Sequence, residues 1–288
     1  MTNFTNQYVP SIGLGTYNMT SEEAEFTTFH ALKHGYRHID TAAVYRNEDG
    51  VAKGLNTFLN DSDLKREDIF ITTKLWPGGL VKVDRIKDYT GTVKSFEKSL
   101  MRLNLDYIDL YLIHSPHGKS KRLEQWRALV DLKEAGKIKY IGVSNWGINH
   151  LSELKENDLP MPDANQIELH PWSQKPELVK FLRNEKIDII AYSSLVPLST
   201  WRHKDGENSK KTNEMHEIGL SENSPFKVLA EKYDVTEAQF LLKWAVQNNY
   251  AVLPKSINIE RVKQNFELNF LIDQSDMEYI TTLDKGDS

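Results

Sequence analysis

Short apolar runs alternate with longer amphipathic ones along nearly the whole chain. The runs over 12–15, 38–40, 69–74, 108–113, 138–144, 165–167, 187–193 and 251–253 predict eight strands. Most are too continuously apolar to leave one face in water, which is the pattern of parallel strands covered on both sides. Between them the spacing predicts helices with legible ends. Thr20 and Glu23 form a capping box ahead of a helix over 24–34, and Gly35 marks its stop. A helix over 122–134 ends at Ala135-Gly136 in the same way. Another over 175–185 follows the turn around Pro171, and Pro225 opens one where its missing N–H costs nothing. Eight strands with intervening helices and no linker predict an α/β fold of the (β/α)8 TIM barrel kind. The chain then forms a single domain over 1–288, with a short N-terminal β-hairpin. The competing architecture, an open doubly wound sheet, calls for a Gly-rich dinucleotide turn. Gly13-Leu14-Gly15 is the nearest match, but it lacks the third glycine and no helix follows it directly.

Composition narrows the function more than the fold. The chain has 288 residues, ample for one large barrel, and its 10% aromatic content argues against disorder. Net charge is −5, so no excess of cations exists to hold a polyanion, and nucleic acid is not expected as a partner. Cysteine is absent, which removes disulfides, thiol nucleophiles and Cys-based zinc sites together. No apolar run approaches the roughly 18 residues of a membrane helix. The first ten residues lack the basic start and apolar stretch of a signal peptide. The expectation is a cytoplasmic protein without a membrane partner, a monomer or weak homodimer.

The chemistry collects at the strand exits, where a barrel carries its active site. Asp40, Lys74, His114, Ser144-Asn145, Gln166, Tyr192-Ser193 and Lys255-Ser256 all stand at or just past the end of an apolar strand, and Tyr45 follows Asp40 by five positions. No Ser-His pair is evident, and no ligand set calls for a metal. A tyrosine can protonate a carbonyl oxygen, but its ordinary pKa of about 10 lies roughly three units too high for neutral pH. An ammonium such as Lys74 would favour the phenolate, and Asp40 would keep that ammonium charged. His114 would orient the carbonyl. This is the acid half of a carbonyl reduction, and the hydride must come from a cofactor, because no side chain donates one. Taken singly, each of these residues also has an ordinary reading. Asp40–Lys74 would be a structural ion pair, Trp76 a core residue, His170 a packed imidazole and the 204–211 charge cluster a solvated loop.

Together the residues resemble a known family. The run 35–42, Gly-Tyr-Arg-His-Ile-Asp-Thr-Ala, with Tyr45 and Asn47-Glu48, is similar to the aldo-keto reductase signature. The resemblance continues through Thr73-Lys74-Leu75-Trp76, His114-Ser115-Pro116, Gly142-Val143-Ser144-Asn145, Asn165-Gln166-Ile167-Glu168, Ala191-Tyr192-Ser193 and Pro254-Lys255-Ser256, followed by Arg261 and Asn265. It implies a (β/α)8 barrel that binds NADPH and reduces small-molecule aldehydes or ketones. In that reading Asp40, Tyr45, Lys74 and His114 are catalytic, and Tyr17, Tyr45, Trp76 and His114 line the substrate. The implied cofactor contacts are Ser144, Asn145 and Gln166 on the nicotinamide carboxamide and Tyr192 stacked on its ring, with Thr16, Tyr17, Asp40, Ser193 and Leu195 as further contacts. Lys255, Ser256, Asn258 and Arg261 are implied around the adenosine 2′-phosphate, and Ile257, Gln264 and Asn265 are implied as further cofactor contacts. Two cations beside a helix start also suit a phosphate on physical grounds. The long non-periodic segment 195–223 leaves the seventh strand beside the implied pyrophosphate and is expected to fold over the cofactor.

The chain departs from better-known members of the family. Ser115 follows the histidine where many have Trp, and Tyr17 stands where Trp is common. The connection after His114 is short, as in microbial and fungal reductases. The alternative function is a nicotinamide-binding regulatory subunit with little turnover, as in the potassium-channel β subunits of this fold.

Overall fold

The computed structural model describes residues 8–81, 84–198, 213–214, 217–219 and 221–286. Eight parallel strands run in chain order: β1 (Leu14–Gly15), β2 (His38–Asp40), β3 (Phe70–Leu75), β4 (Ile108–Ile113), β5 (Ile138–Ser144), β6 (Ala164–Glu168), β7 (Asp188–Tyr192) and β8 (Ala251–Val252). The sheet curls until its last strand meets its first. Ile12 bridges Val252 in parallel, and the Gly13 and Gly15 N–H groups reach the Val252 and Pro254 carbonyls at 2.8 and 3.1 Å. The two glycines serve this closure. A Cβ on Gly13 would fall 2.5 Å from the His38 Nδ1, and one on Gly15 would fall 2.9 Å from the Leu253 carbonyl oxygen.

Helices α1 (Ser21–Lys33), α2 (Glu48–Asn60), α3 (Tyr89–Leu103), α4 (Arg122–Glu134), α5 (Ile148–Glu156) and α6 (Pro176–Asn184) each follow one of the first six strands. Helices α7 (Pro225–Lys232) and α8 (Glu237–Gln247) lie between β7 and β8, with α9 (Ile259–Phe266) and α10 (Gln274–Thr281) after β8. The legible ends form for the expected reasons. Thr20 and Glu23 make a reciprocal capping box, with bonds of 3.2 and 2.9 Å. Gly35 leaves α1 at φ +103°, a conformation glycine reaches without a Cβ clash. Proline opens both α6 and α7.

Strand periodicity decides which side chains meet at the mouth. In β4, Leu110 and Leu112 join the small cluster with Ala164, Ile190 and Ala251, whereas Tyr111 and Ile113 join the large core. The first set fills the barrel and the second packs under the helices. Side chains alternate faces along a strand, so residues two further along share the inner face. That parity carries His114 above Leu112, Gln166 above Ala164 and Tyr192 above Ile190. In β3 it sets Phe70, Thr72 and Lys74 on one face, opposite Ile71 of the large core.

The other end of the barrel is built for stability. Asp109 accepts the Ile71 N–H at 3.0 Å and pairs with Arg66 at 2.5 Å, while Asp163 accepts the Ile141 N–H at 2.8 Å. Asp188 accepts the N–H groups of Tyr8 and Val9 at 2.8 and 3.0 Å, and Val9 is buried against the inner cluster. No N-terminal hairpin is present among the described residues. Residues 8–9 are held by Asp188 instead of by a partner strand, and 1–7 lie outside the described residues. The first strand is also shorter than expected, two residues in place of 12–15, because Ile12 makes only an isolated bridge. The segment 195–223 is described at its ends. Val196–Leu198 form a 3-10 turn, and Leu195, Val196, Leu198 and Ile218 pack on Trp172, Phe226 and Leu241. Residues 199–212, 215–216 and 220, on which its covering role rests, lie outside the described residues.

Candidate active site

The mouth is organised by one buried ion pair. The Lys74 Nζ lies 2.5 Å from the Asp40 Oδ1, with side-chain exposures of 0% and 4%. Lys74 also donates to the Thr41 carbonyl at 2.9 Å and lies 3.4 Å from the Tyr45 hydroxyl, its ammonium 5.0 Å from the Tyr45 ring centroid. The second Asp40 oxygen accepts from the Gln166 Nε2 at 2.8 Å. Both carboxylate oxygens are therefore used, as burying a charge requires.

Burial pulls the Lys74 ammonium down, but Asp40 and then Tyr45 outweigh it, and its pKa ends above the ordinary lysine value. The amine therefore stays charged. Burial pushes the Tyr45 phenol up, Lys74 pulls it back, Asp40 adds an upward push, and the net direction is up. This differs from the sequence expectation, in which Lys74 leaves the phenol more acidic than usual. Desolvation disfavours phenolate by more than one ammonium restores, so Tyr45 is held as a protonated donor. Burial, then the Lys74 charge, take His114 down to about 3, so its imidazole is neutral at physiological pH. Its Nδ1 is buried with no protein partner.

A second hydrogen-bonded group joins this core. The Ser144 hydroxyl donates to the Gln166 carbonyl at 2.9 Å, and the Tyr192 hydroxyl donates to the Asn145 Oδ1 at 2.8 Å. The Asn145 Nδ2 lies 3.4 Å from the His114 carbonyl and 3.2 Å from the Ser144 Oγ. Asn145 and Ser193 take φ of +62° and +58° at the exits of β5 and β7. The left-handed region is uncommon for non-glycine residues, and asparagine enters it more readily than serine. It also ends β7 one residue short of the predicted 193.

Aromatic rings wall the opening. Tyr17 packs edge-on to Tyr45 at 5.1 Å between centroids, Tyr45 on His114 at 5.6 Å and Trp76 on His114 at 5.8 Å. The Trp76 indole N–H donates to Asp84 at 2.8 Å, so this ring is fixed from behind. Ser115 is buried with its hydroxyl unpartnered. Beside the Asn145–Tyr192 pair lies a cavity of about 660 Å³, bounded by the starts of α5 and α6 and by Asp284 and Gly286. Among the described residues no cluster of His, Asp or Glu is arranged to hold a metal.

The phosphate-binding candidates form a separate segment after β8. Lys255, Ile257, Asn258, Arg261 and Gln264 are exposed, Ser256 is half-buried and Asn265 is buried. Asn258 caps α9 by accepting the Arg261 N–H at 3.1 Å, and the Ser256 hydroxyl accepts the Asn258 N–H at 3.1 Å. Those two polar groups are already bonded within the turn. Neither Lys255 nor Arg261 has a carboxylate partner among the described residues, so both cations remain available to an anion. Thr16 differs again, since its buried hydroxyl donates to the Asp40 carbonyl at 3.1 Å. Leu195 is half-buried at the edge of the hydrophobic core.

Residues 11–285 match the profile of the aldo/keto reductase family. The chain belongs to the aldo/keto reductases. Glyoxal reductase of Bacillus subtilis is 37% identical over 281 residues, covering 97% of this chain and 90% of that protein. Methylglyoxal reductase DkgA of Yersinia pestis is 35% identical, covering 98% and 92%. A Bombyx mori aldo-keto reductase solved in complex with NADP superposes with a TM-score of 0.83 at 30% identity, covering 96% of this chain and 90% of that one. Membership makes this chain an oxidoreductase of a family that uses a nicotinamide cofactor, and the eight parallel strands are the family's barrel. Among the described residues no helix of this reductase is long and apolar enough to cross a membrane.

Two residues that the sequence leaves without a role stand out here. Asn47 and Glu48 enter there only as part of a motif, yet both are buried directly after the turn that carries Tyr45. Glu48 accepts from Thr73 at 2.6 Å and pairs with Arg102 at 2.5 Å. An Asn at a helix start reads as an ordinary N-cap, which hides its part here.

Proposed function

We propose that this aldo/keto reductase reduces small aldehydes and ketones to alcohols with NADPH, vicinal dicarbonyls such as glyoxal and methylglyoxal among them. The observation that carries the reading is the Asp40–Lys74–Tyr45 chain of contacts, with a neutral His114 against the Tyr45 ring. The two relatives named for reducing glyoxal and methylglyoxal support the substrate class.

Tyr45, protonated at neutral pH, donates its hydroxyl to the substrate oxygen and passes its proton there. Lys74 stabilises the phenolate left behind, and Asp40 keeps Lys74 charged. His114, being neutral, positions the carbonyl without competing as an acid. Ser144, Asn145, Gln166 and Tyr192 fit a carboxamide and a flat ring, and Lys255 with Arg261 fits a phosphate monoester. NADPH held there supplies the hydride. The Tyr17, Trp76 and Tyr45 rings wall the opening at which the carbonyl is received. The decisive assay is NADPH absorbance loss with a panel of aldehydes, ketones, α-keto esters and diketones. Turnover of dicarbonyls is expected, and silence across the panel would replace this reading with that of a nicotinamide-binding subunit.

The phosphate clamp has its own test. Lys255→Ala removes one unpaired cation from the turn before α9 and is expected to weaken NADPH by about tenfold or more, while NADH changes little. A charge-assisted phosphate contact contributes roughly 1.5–3 kcal/mol. Fluorescence titration with both cofactors reads this directly, and equal losses for the two would remove Lys255 from the 2′-phosphate.

A further inference from the structure

The strongest feature not absorbed by the proposed function is the carboxamide of Asn47. It sits two residues past Tyr45, fully buried, at the N-cap position of α2, yet it makes no capping bond. Its Nδ2 donates instead to the Thr16 carbonyl at 2.8 Å and the Met19 carbonyl at 3.0 Å, and its Oδ1 accepts from the Thr41 hydroxyl at 2.9 Å. Both donors and the acceptor are therefore spent on three points of the mouth. Followed onward, these bonds close a ring. Thr16 donates its backbone N–H and its hydroxyl to the Asp40 carbonyl at 3.0 and 3.1 Å. Asp40 binds Lys74, Lys74 donates to the Thr41 carbonyl, and Thr41 returns to Asn47.

We infer that Asn47 is a positioning residue: it ties the Tyr45 turn to the β1 and β2 loops and so sets the 3.4 Å separation of Tyr45 from Lys74. The physical reason lies in the local chain. Tyr45 stands on a single 3-10 turn, Ala43–Tyr45, followed by Arg46 at φ +59°. That turn has one backbone bond of its own at good length, Tyr45 N–H to Ala42 at 2.9 Å, and cannot hold a side chain rigidly by itself. Asn47 fixes the chain immediately downstream. It also fixes the β1 loop that carries Tyr17, whose ring packs on Tyr45. A buried amide with every hydrogen bond made tolerates no slack, because any displacement leaves a polar group unpaired.

The inference rests on Tyr45 acting as the proton donor, and its test separates the two claims. In Asn47→Ala, kcat per folded molecule should fall by about 10- to 100-fold, the scale expected when a reacting group shifts by about 1 Å. A crystal structure of the variant should show Tyr45 further from Lys74 than 3.4 Å. The groups facing Tyr45 are Lys74, Asp40, His114 and Tyr17. With Lys74 more distant, the basic limb of the kcat–pH profile should move to higher pH. A merely structural role would lower the melting temperature and leave that limb in place. Thr41→Val, which removes only the hydroxyl that Asn47 accepts, should change kcat and the basic limb in the same direction. Thr41→Ser should retain wild-type behaviour, and this pair carries the test if Asn47→Ala does not fold. The proposal is overturned if Tyr45 keeps its place and the basic limb does not move in a folded variant. A wild-type protein that reduces no carbonyl would refute the function above, while the Tyr45–Lys74 separation would still decide the role of Asn47.

Discussion

Tyr45→Phe should abolish most carbonyl reduction while leaving the barrel and its cofactor seat intact. The substitution removes one hydroxyl, which lies 3.4 Å from Lys74. The ring that packs between Tyr17 and His114 stays in place. A positioned general acid contributes about 10²–10⁴ in rate, so kcat is expected to drop by roughly a thousandfold. NADPH affinity should be nearly unchanged, because the lost group acts on the substrate oxygen. The pH dependence of the wild-type enzyme follows from the same groups. His114, with a pKa of about 3, is already neutral across the range above pH 5, and Tyr45, raised above its ordinary value, is still protonated well past pH 8. The reduction rate should therefore show no titration of either group between pH 5 and 8. Steady-state kinetics of wild type and variant over that range check both statements. Retained turnover in Tyr45→Phe would take the proton-donor role away from Tyr45.

Asp40→Asn should be the most destabilising single change at the mouth. Lys74 is fully buried and its charge is held by Asp40 at 2.5 Å. Breaking a buried pair by removing one partner strands the other charge, at a cost of about 3–5 kcal/mol. The amide keeps the shape of the carboxylate but loses its charge, and its NH2 sets a donor against the donor of either Lys74 or Gln166. Burial, which already pulls Lys74 down, would then act without its main opponent. The ammonium should lose its proton more readily, and turnover should fall with it. The double variant Asp40→Asn/Lys74→Met gives the contrast. Removing both charges relieves the desolvation penalty, so stability should return towards wild type while activity does not. Urea unfolding of the three proteins measures this. An Asp40→Asn protein as stable as wild type would show that the pair is not what holds Lys74 in place.

Much of the fold is legible in the amino-acid sequence alone. The strands can be placed because a parallel barrel buries both strand faces, leaving continuous apolar runs that stop where the backbone reaches the mouth. Asp40, Lys74, His114, Gln166 and Tyr192 are visible for the same reason, as polar residues following an apolar run at even spacing. The capping box at Thr20 and the proline starts of α6 and α7 are local signals, and they form where the sequence puts them. The N-terminal hairpin is different, because the partner of residues 8–9 is the Asp188 carboxylate, some 180 positions away. Strand periodicity carries no information about such a contact.

The site shows the same division. Residue types and their place at strand exits determine that a proton donor, an ammonium, a carboxylate and an imidazole share one mouth, since alternation along each strand is a local rule. The direction of the Tyr45 pKa is decided only by tertiary structure, because it is a balance between burial and charges brought from β2 and β3. Asn47 is likewise hidden, since its partners Thr16 and Met19 become its neighbours only when the loops after β1 and β2 converge. Local chemistry along the chain names the groups that can react, but the desolvation and cross-loop bonds that tune them exist only once the barrel has closed.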